Sequence, residues 1–269
     1  MESTVPAKLK EQRPLQPVAA GGWRGGFGNL LRKELGQWWG TRTWWVQIVI
    51  WVAILNGIST IVMLTEATPP AETLQEVVGT FLALGAFAIG IGTIITVQGA
   101  IVGERELGTA AWVMSKPASR PAFILAKMLS YIVGFWVTGI IIPATIFIIS
   151  TRNLVPAPLA LLTFLPGVAL LMLGQLFYLS LTLMLGALFN SRGPIIGIAI
   201  AFILSGLLLK GFFPMQIMML TPWLLPDIGG NLALGMSLPQ VWPIPIVAVS
   251  SWIVVMTVVS LWRFSREEF

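Results

Sequence analysis

Long uncharged apolar stretches alternate along this chain with short segments that hold nearly all of its charge. The apolar runs cover residues 44–64, about 81–102, 128–150, about 167–189 (with 159–166 leading into it), 194–209 and about 244–262, and none contains Asp, Glu, Lys or Arg. About 20 apolar residues cross the hydrocarbon of a bilayer as a helix whose backbone groups are satisfied internally. The pattern therefore predicts an all-α integral membrane protein with six transmembrane helices. The fifth run is short, and Phe212 and Phe213 are expected to extend it. The first run begins too far along the chain and is too long for a signal-peptide core, and it has no small-residue cleavage site.

Between the runs the pattern changes character. Residues 27–42 place Phe27, Leu30, Leu31, Leu35, Trp38 and Trp39 at helical spacing, with Asn29, Arg32, Lys33, Gln37 and Arg42 on the other face. This predicts an interfacial amphipathic helix anchored by tryptophans at headgroup depth. Leu31, Arg32, Lys33, Glu34, Trp38 and Trp39 are its candidate functional residues, for anchoring or for transmitting force. Residues 1–26 carry prolines and paired glycines without an apolar period, and are read as a mobile cytoplasmic tail preceding a membrane domain over 27–269. Residues 210–241 are apolar yet interrupted by Pro214, Pro222, Pro226 and Pro239. They are expected to form short outer re-entrant helices between spans 5 and 6, or a loop resting on the bilayer surface.

Composition and charge sharpen this reading. Of 269 residues, 56% are hydrophobic and only 10% charged, against about 25% charged in soluble domains. Lys and Arg are unevenly placed. With the N-terminus inside, inner segments hold all basic residues except Arg152 and Lys210. The positive-inside rule then puts both termini in the cytoplasm of a multi-pass protein of the cell (plasma or inner) membrane. The net charge of +5 reflects topology and anionic headgroups and not nucleic acid. Cys and His are absent, which removes disulfides, thiol chemistry and the usual soft metal ligands. No metal site is expected.

The largest inner loop, residues 103–127, reads GERELGTAAWVMSKPASRPAFILAK. Glutamates are unfavourable at a helix C-terminus and favourable at an N-terminus. The second span is therefore expected to end near Gly103, and a new helix to start with Glu104 and Glu106 in its first turn and continue through residues 109–114. Pro117 stops it. Ser119 is placed to cap the next helix, with Pro121 in its first turn. On residues alone, this loop is either a docking element for a soluble partner or a solvated connection.

The run Gly103-Glu104-Arg105-Glu106-Leu107-Gly108-Thr109, followed by Ser115-Lys116-Pro117-Ala118-Ser119-Arg120 and then Lys127, resembles the inner-loop signature of ABC-2 type transporter permeases. Ala126 stands where the family usually has glycine. Leu31-Arg32-Lys33-Glu34-Leu35 is similar to the family's opening before its first span. The resemblance covers about residues 27–269. It implies a permease subunit of an ATP-driven exporter, paired with a second six-span chain as a homo- or heterodimer. Two copies of a cytoplasmic ATPase subunit would carry ATP and Mg. It further implies that Glu104, Arg105, Glu106, Gly108, Thr109, Lys116, Pro117, Ser119 and Arg120 belong to a region that couples to that ATPase.

The residues are consistent with catalysis elsewhere. No Gly-Lys pair exists from which a phosphate-binding P-loop could be built, so this chain is expected not to be an enzyme. A secondary transporter would place ionisable groups inside its spans; here only Asn56, Gln98, Gln175 and Tyr178 offer notable polarity at depth. The first three are candidates for a translocation path, though helix–helix hydrogen bonding is the plainer role. A partner-binding membrane subunit without transport also fits. Uncharged spans favour an amphiphilic, lipid-like or peptide-like substrate over a bare ion.

Overall fold

A computed structural model describes residues 22–65, 68–108, 118–157 and 159–267, except the side chain of Trp23. Among these residues the secondary structure is entirely helical. Helix α1 spans Phe27–Trp39. Helix α2, Thr43–Thr65, is widened by a π-helical turn at Val52–Asn56. Helix α3 spans Pro70–Val97, and the short α4 follows at Val102–Glu106. Helix α5 runs over Arg120–Leu154, α6 over Leu161–Leu188 and α7 over Arg192–Leu208. Two short helices, α8 at Met215–Met218 and α9 at Leu225–Ala233, precede α10 at Pro243–Ser265.

Among the described residues, five helical stretches, at Thr43–Thr65, Pro70–Glu106, Arg120–Leu154, Leu161–Leu188 and Pro243–Ser265, are long and apolar enough to cross a membrane; α7 is apolar but shorter. The expected extension of α7 through Phe212 and Phe213 does not occur. The helix stops at Leu208, and Lys210–Phe212 form a separate tight turn. Seventeen residues rise about 26 Å, slightly less than the roughly 30 Å of bilayer hydrocarbon.

Other boundaries differ from expectation for identifiable reasons. Helix α3 begins at Pro70, well before residue 81, because Pro70 suits a first helical turn and Glu72 meets the positive end of the helix dipole there. Helix α5 begins at Arg120 and is a single element through residue 154, with a π-helical turn at Trp136–Ile141. Pro143 explains that turn: it lacks the amide that would bond the carbonyl of Gly139, and its ring clashes there. Pro166 lies inside α6 near its start.

Helix α6 is the most buried span and packs against α3, α5, α7, α9 and α10. At one end of the bundle Phe81, Phe147 and Phe164 stack, joining α3, α5 and α6, with ring centroids 4.3 Å and 5.4 Å apart. The segment after α7 folds onto that same end. A Cβ on Gly167 of α6 would lie 3.0 Å from the carbonyl oxygen of Gly229, so two glycines let α9 approach α6 backbone to backbone. Trp223 lies on the bare backbone of Gly206 in α7. Arg152 and Lys210 belong to this end, in the last turn of α5 and just beyond α7.

Candidate functional site: a charge clasp at the other end of the bundle

The opposite end gathers α1, α4, the start of α5, the junction of α6 and α7, and the end of α10. Helix α1 buries Leu30, Glu34 and Trp38, a stripe four residues apart. Leu31, Leu35 and Trp39 flank it half-buried, and Arg32 and Lys33 are exposed. The helix is amphipathic as expected, but its buried face meets α5. Trp38 packs edge-on to Tyr131, 6.0 Å between centroids, and tilted on Phe135 at 5.4 Å.

Glu34, inside that apolar stripe, is held by a cation from α5. Lys127 Nζ donates to Glu34 Oε1 at 3.0 Å and to Glu104 Oε1 at 2.7 Å. Lys127 and Glu34 are 3% and 5% exposed, which makes this pair interior. Lys33 adds a donor to Glu104 Oε1 at 3.3 Å. Two carboxylates and two ammonium groups thus tie α1, α4 and α5 together. Charges removed from water persist only when paired and hydrogen-bonded.

Beside this clasp, Arg105 closes the end of α6. Its guanidinium donates to the carbonyls of Gly186 (3.0 Å), Ala187 (3.2 Å) and Phe189 (3.0 Å), and pairs with Glu267 beyond α10 at 2.7 Å. The last carbonyls of a helix have no intrahelical partners and carry the negative end of its dipole; a rigid five-donor fork suits them. Glu106 instead points outward. It pairs with Arg192 at 3.0 Å, each side chain about half exposed at 50% and 51%.

The break expected before Glu104 is present, but α3 already ends at Val97 and not near Gly103. Residues 98–101 form a turn, and Glu104 lies in the first turn of α4. Helix α4 ends at Glu106 and does not run on: Gly108 follows with φ +66°, its amide on the Arg105 carbonyl at 3.0 Å, a helix-ending conformation natural to glycine. Thr109, Lys116 and Pro117, with the helix expected over 109–114, lie outside the described residues. Ser119 caps α5 as expected, its Oγ accepting from the Ala122 amide at 3.2 Å. Its own amide donates to the carbonyl of Gly25 at 2.9 Å. The final residues of the expected tail therefore meet the start of α5, while residues 1–21 lie outside the described residues. Arg120 donates to the carbonyl of Ser265, and Phe123 stacks parallel on Phe264 with centroids 5.1 Å apart.

Among the described residues no hydrogen bond joins the candidate path residues to one another. Asn56 is buried in the π-helical turn of α2, where neither amide atom makes a hydrogen bond among the described residues. Gln98 is half-buried in the turn after α3. Gln175 is buried in α6, accepting from Trp136 Nε1 at 3.1 Å and facing Thr93 Oγ1 at 3.5 Å.

Glu104, Arg105 and Glu106 stand out in the sequence as candidates, but Lys127, Glu267 and Arg192, which pair with them, do not. Lys127 is there only the end of a motif, and Arg192 and Glu267 are charges at span ends. The position of Glu34, four residues from both Leu30 and Trp38, is the available sign that it needs an interior cation.

No curated protein matches this chain. The profile of the family described as ABC-2 family transporter protein matches residues 29–227. That region starts within α1 and takes in the clasp, Arg105, and the spans through α7. Apolar helices and family agree on a multi-pass membrane protein that is a transmembrane, non-catalytic component of a transporter. The chain belongs to the ABC-2 family of transporter proteins.

Proposed function

We propose that this chain is the membrane-embedded subunit of an ATP-driven exporter, lining the path of an amphiphilic, lipid-like or peptide-like substrate. Hydrolysis of ATP with Mg would take place on separate cytoplasmic ABC ATPase subunits, two per assembly, with two permease chains paired in the cell membrane. One observation carries the reading. The interfacial helix, the segment after α3 and the end of α10 converge on one end of the bundle, tied by Lys127, Glu34, Glu104 and Arg105. A partner pressing on the exposed Glu106–Arg192 edge would move α1, α4 and the α6 terminus as one body.

This reading counts α7 as a sixth crossing. Arg192, at its start, pairs with Glu106 near the clasp, whereas Gly206, near its end, meets Trp223 at the opposite end. Six crossings return both chain ends to the side that holds most of the Lys and Arg, taken as the cytoplasm. The test is co-expression with a candidate ABC ATPase subunit, purification and hydrolysis assay. A complex with ATPase activity absent from the isolated permease is expected; robust hydrolysis by the isolated chain overturns the proposal.

A further inference from the structure

At the end opposite the clasp, two apolar cavities lie on either side of Asp227. The first, about 180 Å³, is set among α3, α6, α7 and the segment beyond it, and is lined by Leu82, Phe87, Tyr178 and Trp223 among others. The second, about 150 Å³, is lined chiefly by Met219, Leu224, Leu238 and Trp242. Asp227 borders both, and Lys210 borders the first; among the described residues no other charged side chain lines either. Lys210 and Asp227 form an ion pair and are 34% and 55% exposed, which places them at the rim.

We propose that this is a binding site for one zwitterionic diacyl phospholipid. Its head group straddles the Lys210–Asp227 pair, and the first part of one acyl chain enters each cavity. Charge complementarity selects the head group. A phosphate finds Lys210, while the lipid's ammonium finds Asp227. A purely anionic head group meets the Asp227 carboxylate, and a cationic one meets Lys210. Size selects the chains: an apolar cavity of about 150 Å³ holds a benzene-sized group, so each cavity takes several methylenes and leaves the rest of the chain in the bilayer. Two cavities flanking one charged rim match two chains leaving one head group. The site is separate from the clasp and does not depend on the export reading.

The test uses the purified full chain in detergent, offered equal amounts of phosphatidylethanolamine and phosphatidylglycerol with identical acyl chains, with retained lipid read by native mass spectrometry. One phosphatidylethanolamine per chain is expected, preferred roughly fivefold, the scale of a partly exposed ion pair. Asp227→Asn should shift the preference toward phosphatidylglycerol, a gain that an unfolded protein cannot produce. Ala86→Phe, which fills the first cavity, should weaken retention of both lipids. Arg152→Ala, a cation lost from the same end but away from the cavities, should change nothing. Equal retention of the two lipids by the wild-type chain, or an unchanged preference in Asp227→Asn, overturns the proposal.

Discussion

Lys127 on α5 and Glu34 on α1 form an interior ion pair, Nζ to Oε1 at 3.0 Å, in a chain whose apolar runs carry no charge. A lone charge there would be untenable; the pair is mutually neutral, and Glu104, 2.7 Å from Lys127, is balanced in turn by Lys33. Replacing Lys127 by Met leaves two carboxylates facing each other without their main counter-charge. Removing one partner of a buried pair costs about 3–5 kcal/mol. Lys127→Met should therefore lower the thermal unfolding midpoint in detergent sharply. A midpoint indistinguishable from that of the wild type would mean that the cluster is solvated.

Arg105 predicts a local effect. Arg105→Lys keeps the charge but cannot reach three carbonyls and a carboxylate together. Hydrogen exchange should quicken over the last two turns of α6, with a stability loss of about 1–2 kcal/mol. Unchanged exchange in α6 would show that its terminus does not rely on the guanidinium.

Glu106 is the clean probe of docking. Its pair with Arg192 is half exposed and worth under about 1 kcal/mol. Glu106→Ala should leave unfolding unchanged while weakening ATPase binding or uncoupling hydrolysis from transport. Glu104→Ala is a poor probe, because it also opens the clasp. Wild-type assembly, hydrolysis and transport in Glu106→Ala would remove this edge from the docking surface.

Close packing of α1 gives a steric prediction. A Cβ on Gly134 would lie 2.4 Å from Cε2 of Trp38. Gly134→Ala should push α1 off α5 and cost about 1–3 kcal/mol. Trp38→Phe in the same chain should recover part of that loss, since the smaller ring vacates the clash. A double mutant no more stable than Gly134→Ala alone would place the damage elsewhere.

Orientation can be read with single cysteines, because the chain has none. Thr68→Cys, before α3, should react with a membrane-impermeant thiol reagent in intact cells. Leu107→Cys, exposed beside the clasp, should react only after permeabilisation. The reverse pattern inverts the topology.

Features imposed by solvent were legible from the order of residues alone. Charges excluded from long apolar runs mark helices in hydrocarbon, so five long spans, the shorter α7 and the amphipathic α1 could be read in advance. Local hydrogen-bonding and helix-dipole preferences were equally legible: Ser119 as a cap, and the break before Glu104. Features that depend on partners distant in the chain were not. The burial of Glu34 against α5 and the capping of the α6 terminus by Arg105 each emerge only when a neighbouring helix is in place. Lys127, Glu34 and Glu104 are ordinary charges until α1 folds back on α5; only then does low dielectric force them into one cluster. Lys210 and Asp227 are likewise two isolated letters until the short helices after α7 bring them together at the rim of two cavities.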